Sequence, residues 1–165
     1  MNLPRNTRPA EDVPLHEMAM ARAWLVNLRS WAEFKIDGLT PEQLRWRPAP
    51  TANSLGTIVR HLGLAERLWF RAVWAGEPMD MDWRATMFDQ IPEAWTVEDV
   101  VAFYRDECRA ADVALDAAKS FDEPSRASFR PTTLRWAMVH MIEETARHLG
   151  HMDITRELID GQADL

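Results

Sequence analysis

The chain has 165 residues, a length that suits one domain with a sizeable core. A net charge of −7 argues against nucleic acid as a partner, because a phosphate-binding face is normally basic. A single cysteine, Cys108, excludes an intrachain disulfide and a multi-cysteine zinc site, and no apolar run is long enough to span a membrane.

Residues 1–13 read as a loose arm, since Pro4 and Pro9 interrupt any regular helix. The segment is polar and does not resemble a signal peptide, so a cytoplasmic protein is expected. Residues 14–165 read as one domain. Pro14 opens a first helix to about Asp37, with Leu15, Met18, Ala21, Leu25, Leu28, Ala32 and Ile36 at three-or-four spacing and Gly38 as its stop. His16 falls in its first turn and is expected to be partly exposed. Thr40, Pro41 and Gln43 form a helix-start signal, and Pro48 and Pro50 keep that helix short. Leu44 and Trp46 are expected to tuck under the bundle.

Asn53 or Ser54 caps a second long helix, Leu55 to Ala75, closed by Gly76. Leu55, Ile58, Leu62, Ala65, Leu68 and Trp69 form its apolar stripe, with His61, Glu66 and Arg67 beside it. From Glu77 to Trp95 the pattern is irregular, with Trp83 and Phe88 as anchors. A connection this long often covers a site. Thr96 caps a third long helix, Val97 to Lys119, on which Val100, Phe103, Tyr104, Cys108, Ala111 and Leu115 face inward. Cys108 reads as a small core hydrophobe. A polar loop, Ser120 to Pro131, leads to Thr132 or Thr133 and a fourth helix to Asp160. No strand alternation, phosphate loop or nucleophile elbow appears. The expectation is an all-α four-helix bundle with a long connection between helices two and three.

The fourth helix carries His140, Glu144, His148 and His151 within roughly 80° of one another around its axis. A carboxylate and imidazoles at these spacings can reach one divalent ion, with a further histidine, His16 or His61, completing the set. An ordinary solvated face, with Glu143 and Arg147 as a four-apart ion pair, is the alternative. The many apolar residues of this helix point to an interior position, where ionisable groups are costly unless paired or metal-bound.

Two blocks, NSLGTIVRHLGLAERLWF at 53–70 and EETARHLGHMDITRELIDG at 143–161, resemble the DinB/YfiT-like superfamily of metal-binding four-helix bundles. The resemblance covers nearly the whole chain. It implies His61, Glu144 and His148 as ligands of a divalent ion, zinc foremost, with nickel, manganese or iron as alternatives. The Glu and His spacing is similar to that of the mycothiol-dependent isomerases of the superfamily. His151 is then an additional catalytic or orienting group, or an alternative ligand. The implied chemistry is activation of a low-molecular-weight thiol, mycothiol or bacillithiol, for transfer to an electrophilic small molecule. The alternatives are a metal-dependent hydrolase or isomerase using metal-bound water, or a non-catalytic stress-related bundle. Arg147 and Arg156 are candidate carboxylate binders, or surface ion-pair partners. The resemblance also allows a homodimer. If helices two and four are neighbours, the three ligating atoms should converge to within about 4 Å. His140, two turns from His148, should not be a ligand.

Overall fold

The structure, a computed structural model, describes residues 16–79 and 82–161, with the side chains of Trp83 and Arg84 outside that description. The expected arm over residues 1–13, the helix start at Pro14 and the anchoring role of Trp83 therefore lie outside the described residues. The elements are α1 (Glu17–Phe34), α2 (Pro41–Arg45), α3 (Leu55–Glu66), a π-helical continuation of α3 (Arg67–Trp74), α4 (Trp83–Thr86), α5 (Val97–Asp116) and α6 (Leu134–Asp160). Among the described residues, the extended pairing is an isolated antiparallel bridge between Pro124 and Thr133.

Local chemistry accounts for the boundaries. Thr40, Ser54, Thr96 and Thr133 each accept a hydrogen bond from a backbone N–H in the first turn of their helix, with complete capping boxes at Thr40 and Thr96. Thr133, rather than Thr132, therefore starts α6. Gly76 ends the long second helix at φ 75°, a left-handed conformation that residues with a Cβ avoid. The regular part of α1 stops at Phe34 and that of α5 at Asp116, about one turn before the expected ends. His16 is exposed at the N-cap position of α1.

α1 packs against α6, and α3 packs against both α5 and α6. The α3–α5 approach is close at Gly63, where an added Cβ would come within 2.9 Å of the Phe103 ring. The α1–α5 seam is bridged by long side chains: Arg22 to Asp116 at 2.7 Å, Arg29 to Asp112 at 2.8 Å and Arg105 to Glu33 at 2.7 Å. The expected bundle is thus formed, with its long second crossover.

The apolar interior divides into two clusters. One gathers Leu25, Trp69, Trp74, Leu115, Met138 and Met141; the other gathers Ile36, Leu44, Leu62, Tyr104, Leu149 and Met152. Each long helix passes from one cluster to the other through a polar stretch: Arg29 on α1, Glu66 on α3, Glu107 on α5, Thr145 and His148 on α6. All five of these side chains are buried.

Two expectations are corrected. Leu44 is buried as expected, but Trp46 is exposed, because the chain turns away from the bundle at the end of α2. α6 is not apolar on all sides of an interior position. Val139, Ala146, Ile154 and Leu158 face outward, and one stripe, from Leu134 through Met138, Met141, Thr145, His148 and Met152 to Thr155 and Arg156, is buried. α6 is a peripheral helix with one inward face. No helix among the described residues is long and apolar enough to cross a membrane.

Candidate metal centre

His61 projects from the middle of α3, and Glu144 and His148 from consecutive turns of α6. Because the two helices are neighbours, all three side chains meet between them. Nε2 of His61 stands 3.0 Å from Oε1 of Glu144, and Nε2 of His148 stands 3.3 Å from the same oxygen. One donor atom from each residue lies within 4.8 Å of the others. Both histidine–carboxylate pairs are inside the expected 4 Å. His61 and His148 are buried, and Glu144 is half-buried.

The donor set fits a divalent ion. Ligands at about 2.1 Å from a tetrahedral ion stand about 3.4 Å apart. The observed 3.0 and 3.3 Å separations are close to that edge. Hydrogen bonds from His148 and then His61 hold the Glu144 carboxyl far below the usual carboxylate range, so it is anionic at neutral pH. Nδ1 of both histidines is buried without a hydrogen-bond partner. In many metal sites that nitrogen is held by a carboxylate or carbonyl. Here ring packing sets the orientation instead. Phe88 lies flat on His61, with centroids 4.0 Å apart and planes 15° apart. His148 meets His61 edge-on at 4.7 Å.

Phe88 comes from the long connection between the second and third long helices. That connection contains the short α4 and is pinned at several points. Arg60 donates to the carbonyls of Thr86 at 3.0 Å and Asp89 at 3.3 Å. Thr57 reaches Gln90 at 3.2 Å. Arg45 donates to the carbonyls of Pro92, Glu93 and Trp95. The connection thus covers the site, with Phe88 as the covering side chain.

A cleft of about 270 Å³ opens beside the centre, with His61 and Glu144 on one side and Trp69, Phe88, Arg130 and His140 among its other walls. A larger groove of about 470 Å³ between α1 and α5, lined by Ser30, Phe34, Val97 and Arg105, gathers no convergent donors among the described residues.

The other named residues are placed as follows. His151 is exposed, its ring edge-on to His148 at 5.6 Å, and it is outside the convergent trio. His140 stacks on Trp136 at 5.0 Å and meets Trp69 at 4.5 Å. Burial lowers its pKa. It approaches Glu143 and Glu144 in a second, more exposed grouping. Arg147 is an exposed partner of Glu143. Arg156 is neither a surface residue nor a site residue: it is buried and donates to the carbonyls of Lys35 at 2.9 Å and Asp37 at 3.0 Å. It thereby satisfies acceptors left open at the end of α1. Burial pushes the Cys108 thiol far up, which leaves it an inert core residue.

Sequence reasoning missed the stacking of Phe88, the π-helical turn that carries Trp69, and Arg130. The one available signal was the length of the connection bearing Phe88.

Residues 20–161 match the mycothiol-S-transferase family. The chain belongs to that family. A crystal structure of a conserved protein from Enterococcus faecalis has the same fold, with TM-score 0.66 and 17% identity, covering 90% of this chain and 100% of that one. No curated protein matches the chain. Membership of the mycothiol-S-transferase family agrees with the superfamily resemblance carried by residues 53–70 and 143–161, and implies a thiol and a small-molecule substrate.

Proposed function

We propose that the protein is a metal-dependent S-transferase that joins mycothiol, or a thiol like it, to an electrophilic small molecule. The observation that carries this reading is the convergence of His61, Glu144 and His148 on one point at the edge of a cleft, in a chain of the mycothiol-S-transferase family. His61 and His148 would hold a divalent ion, zinc foremost, through Nε2, and Glu144 through a carboxylate oxygen. Such an ion supplies the positive charge that lowers a thiol's pKa toward neutrality.

The residues of the chain do the rest. Glu144 contributes one negative charge and the imidazoles none, so the site keeps a net positive charge when loaded. Phe88 shields His61 from water on the cleft side. His151, exposed beside His148, would relay a proton between the site and bulk water. Family membership favours a thiol over water as the group brought to the centre. A cytoplasmic setting, where small thiols stay reduced, suits this chemistry.

The test is direct. Zinc-loaded protein is mixed with mycothiol and a bimane electrophile, and conjugate formation is followed. Transfer that depends on metal and disappears in His148→Ala supports the reading. Absence of metal-dependent transfer with either mycothiol or bacillithiol overturns it. Turnover of the electrophile without any thiol favours the water-based alternative.

A further inference from the structure

Arg130 lies in the loop between α5 and α6, and its guanidinium sits 4.7 Å over the Trp69 ring and 5.9 Å from the Trp136 ring. It lines the same cleft as His61 and Glu144. Several other described arginines point at carboxylates or carbonyls: Arg29 at Glu66, Arg105 at Glu33, Arg156 at Lys35 and Asp37. Arg126 also sits over a ring, Trp74, but away from this cleft. Among the described residues, the Arg130 side chain has ring contacts and no acidic or carbonyl partner.

Its position is built by the fold. The π-helical turn ends with carbonyls that accept from this loop: Trp74 from the Arg126 N–H at 2.9 Å and Val73 from the Ala127 N–H at 3.0 Å. The Ser125 hydroxyl then closes the loop, donating to the Arg130 carbonyl at 3.0 Å and accepting from the Thr132 N–H at 3.0 Å. Stacking on aromatic faces occupies the plane of a guanidinium and leaves its edge donors open. That edge is the part that binds a carboxylate in a two-pronged fashion.

We infer that Arg130 is the carboxylate-recognising residue of this cleft, so that one of the molecules bound there carries a carboxylate on a small apolar body. The apolar body lies against Trp69, Phe88 and Leu68, between Arg130 and the His61–Glu144 edge of the cleft. A volume of about 270 Å³ limits it to a small molecule. In a chain of net charge −7, a local cation is what admits an anion. The inference rests on the cleft being the substrate site of the proposed transferase. The carboxylate belongs to the electrophile, or to the thiol if that thiol is one that carries a carboxylate, as bacillithiol does and mycothiol does not, and either source presents Arg130 with the same group.

The test uses benzoate and its neutral counterpart benzamide, titrated by calorimetry into full-length protein stripped of metal, since benzoate would also bind a metal ion. Wild type is expected to bind benzoate at least about tenfold more tightly than benzamide, the scale of one charge-assisted bidentate contact. Arg130→Ala should remove that preference, Arg130→Lys should keep part of it, and circular dichroism should show both folded. Arg109→Ala, which removes the same charge from an exposed position on α5, should leave the preference intact. Equal binding of the two probes by wild type, or a preference that survives Arg130→Ala, overturns the inference. In transfer assays, benzoate competing with the electrophile assigns the carboxylate to it, and competition with the thiol assigns it to the thiol. Loss of transfer with the benzoate preference intact removes the transferase reading alone. Transfer without any benzoate preference removes this inference alone.

Discussion

Two of the polar clusters that interrupt the apolar interior are built on opposite principles. Arg29 grips Glu66 with both ends of its guanidinium, at 2.8 and 2.7 Å, and reaches Asp112 at 2.8 Å with a third donor. Burial raises the Glu66 pKa and the Arg29 charge opposes that shift, so the pair is internally compensated. The His61–Glu144–His148 cluster has an anion, two imidazoles and two buried nitrogens without partners, and its nearest cation is the exposed Arg147, 3.7 Å from the outer Glu144 oxygen. The first cluster is closed: every strong donor it contains faces an acceptor. The second brings two imidazole nitrogens onto one carboxylate oxygen, where an ion could take the place of the two protons between them. A polar group in the interior thus marks a ligand site only when its own neighbours leave it incomplete.

The largest expected effect comes from opening the closed cluster. Glu66→Ala leaves the buried Arg29 cation with Asp112 alone and two donors open, and urea denaturation should show a loss of about 3 kcal/mol. The double change Arg29→Met with Glu66→Leu should recover most of it. If Glu66→Ala is nearly neutral, the two clusters do not differ as described.

The open cluster should respond to metal instead. Zinc at a hundred times its dissociation constant should stabilise wild type by about 2.7 kcal/mol. His61→Ala or His148→Ala should abolish that gain and the bound zinc found by elemental analysis. His140→Ala should retain both. Retention of zinc by His148→Ala would remove α6 as the source of the ligands. His151→Ala is expected to lower transfer rate more than zinc affinity, and an equal loss of both would make it a ligand.

A subtler contrast is the response to acid. The folded-state pKa of Glu144 lies below the unfolded value of 4.5 because His148 and His61 hydrogen-bond its anion. The stability it contributes is therefore complete above that unfolded value and is lost as pH falls through the folded one. The stability difference between metal-free wild type and Glu144→Gln should shrink as pH falls below 4.5 in denaturant titrations. A difference that grows with acidity contradicts the assignment.

The smallest effect is expected at the covering ring. Phe88→Ala removes the face that orients His61, whose Nδ1 has no partner to replace it. Zinc affinity should fall by about tenfold, the low end for groups that orient a ligand, with little change in metal-free stability. Unchanged affinity would show that the α3 backbone alone orients the ring.

Four helices, their caps and their order were legible from the chain, because three-or-four spacing and Thr, Ser, Pro and Gly signals are local. The spacing of Glu144 and His148 also required nothing beyond helix geometry, and the resemblance supplied His61. Which faces of α6 are buried was not legible. Met, Val, Ile and Leu recur around the whole helix, and only its docking against α1 and α3 decides that Met138 is inside and Val139 outside. The role of Arg156 was half hidden for the same reason: its four-apart pair with Asp160 is local, but its other partners are the carbonyls of Lys35 and Asp37, just past the end of α1. Phe88 over His61, and Arg130 over Trp69, join residues far apart in the chain through loops whose paths are fixed by hydrogen bonds to distant helices. The chain by itself determined what donors exist and on which helices. Tertiary packing decided which of them face one another, because that depends on helix rotation and loop path, quantities set by the sum of many weak contacts rather than by any local pattern.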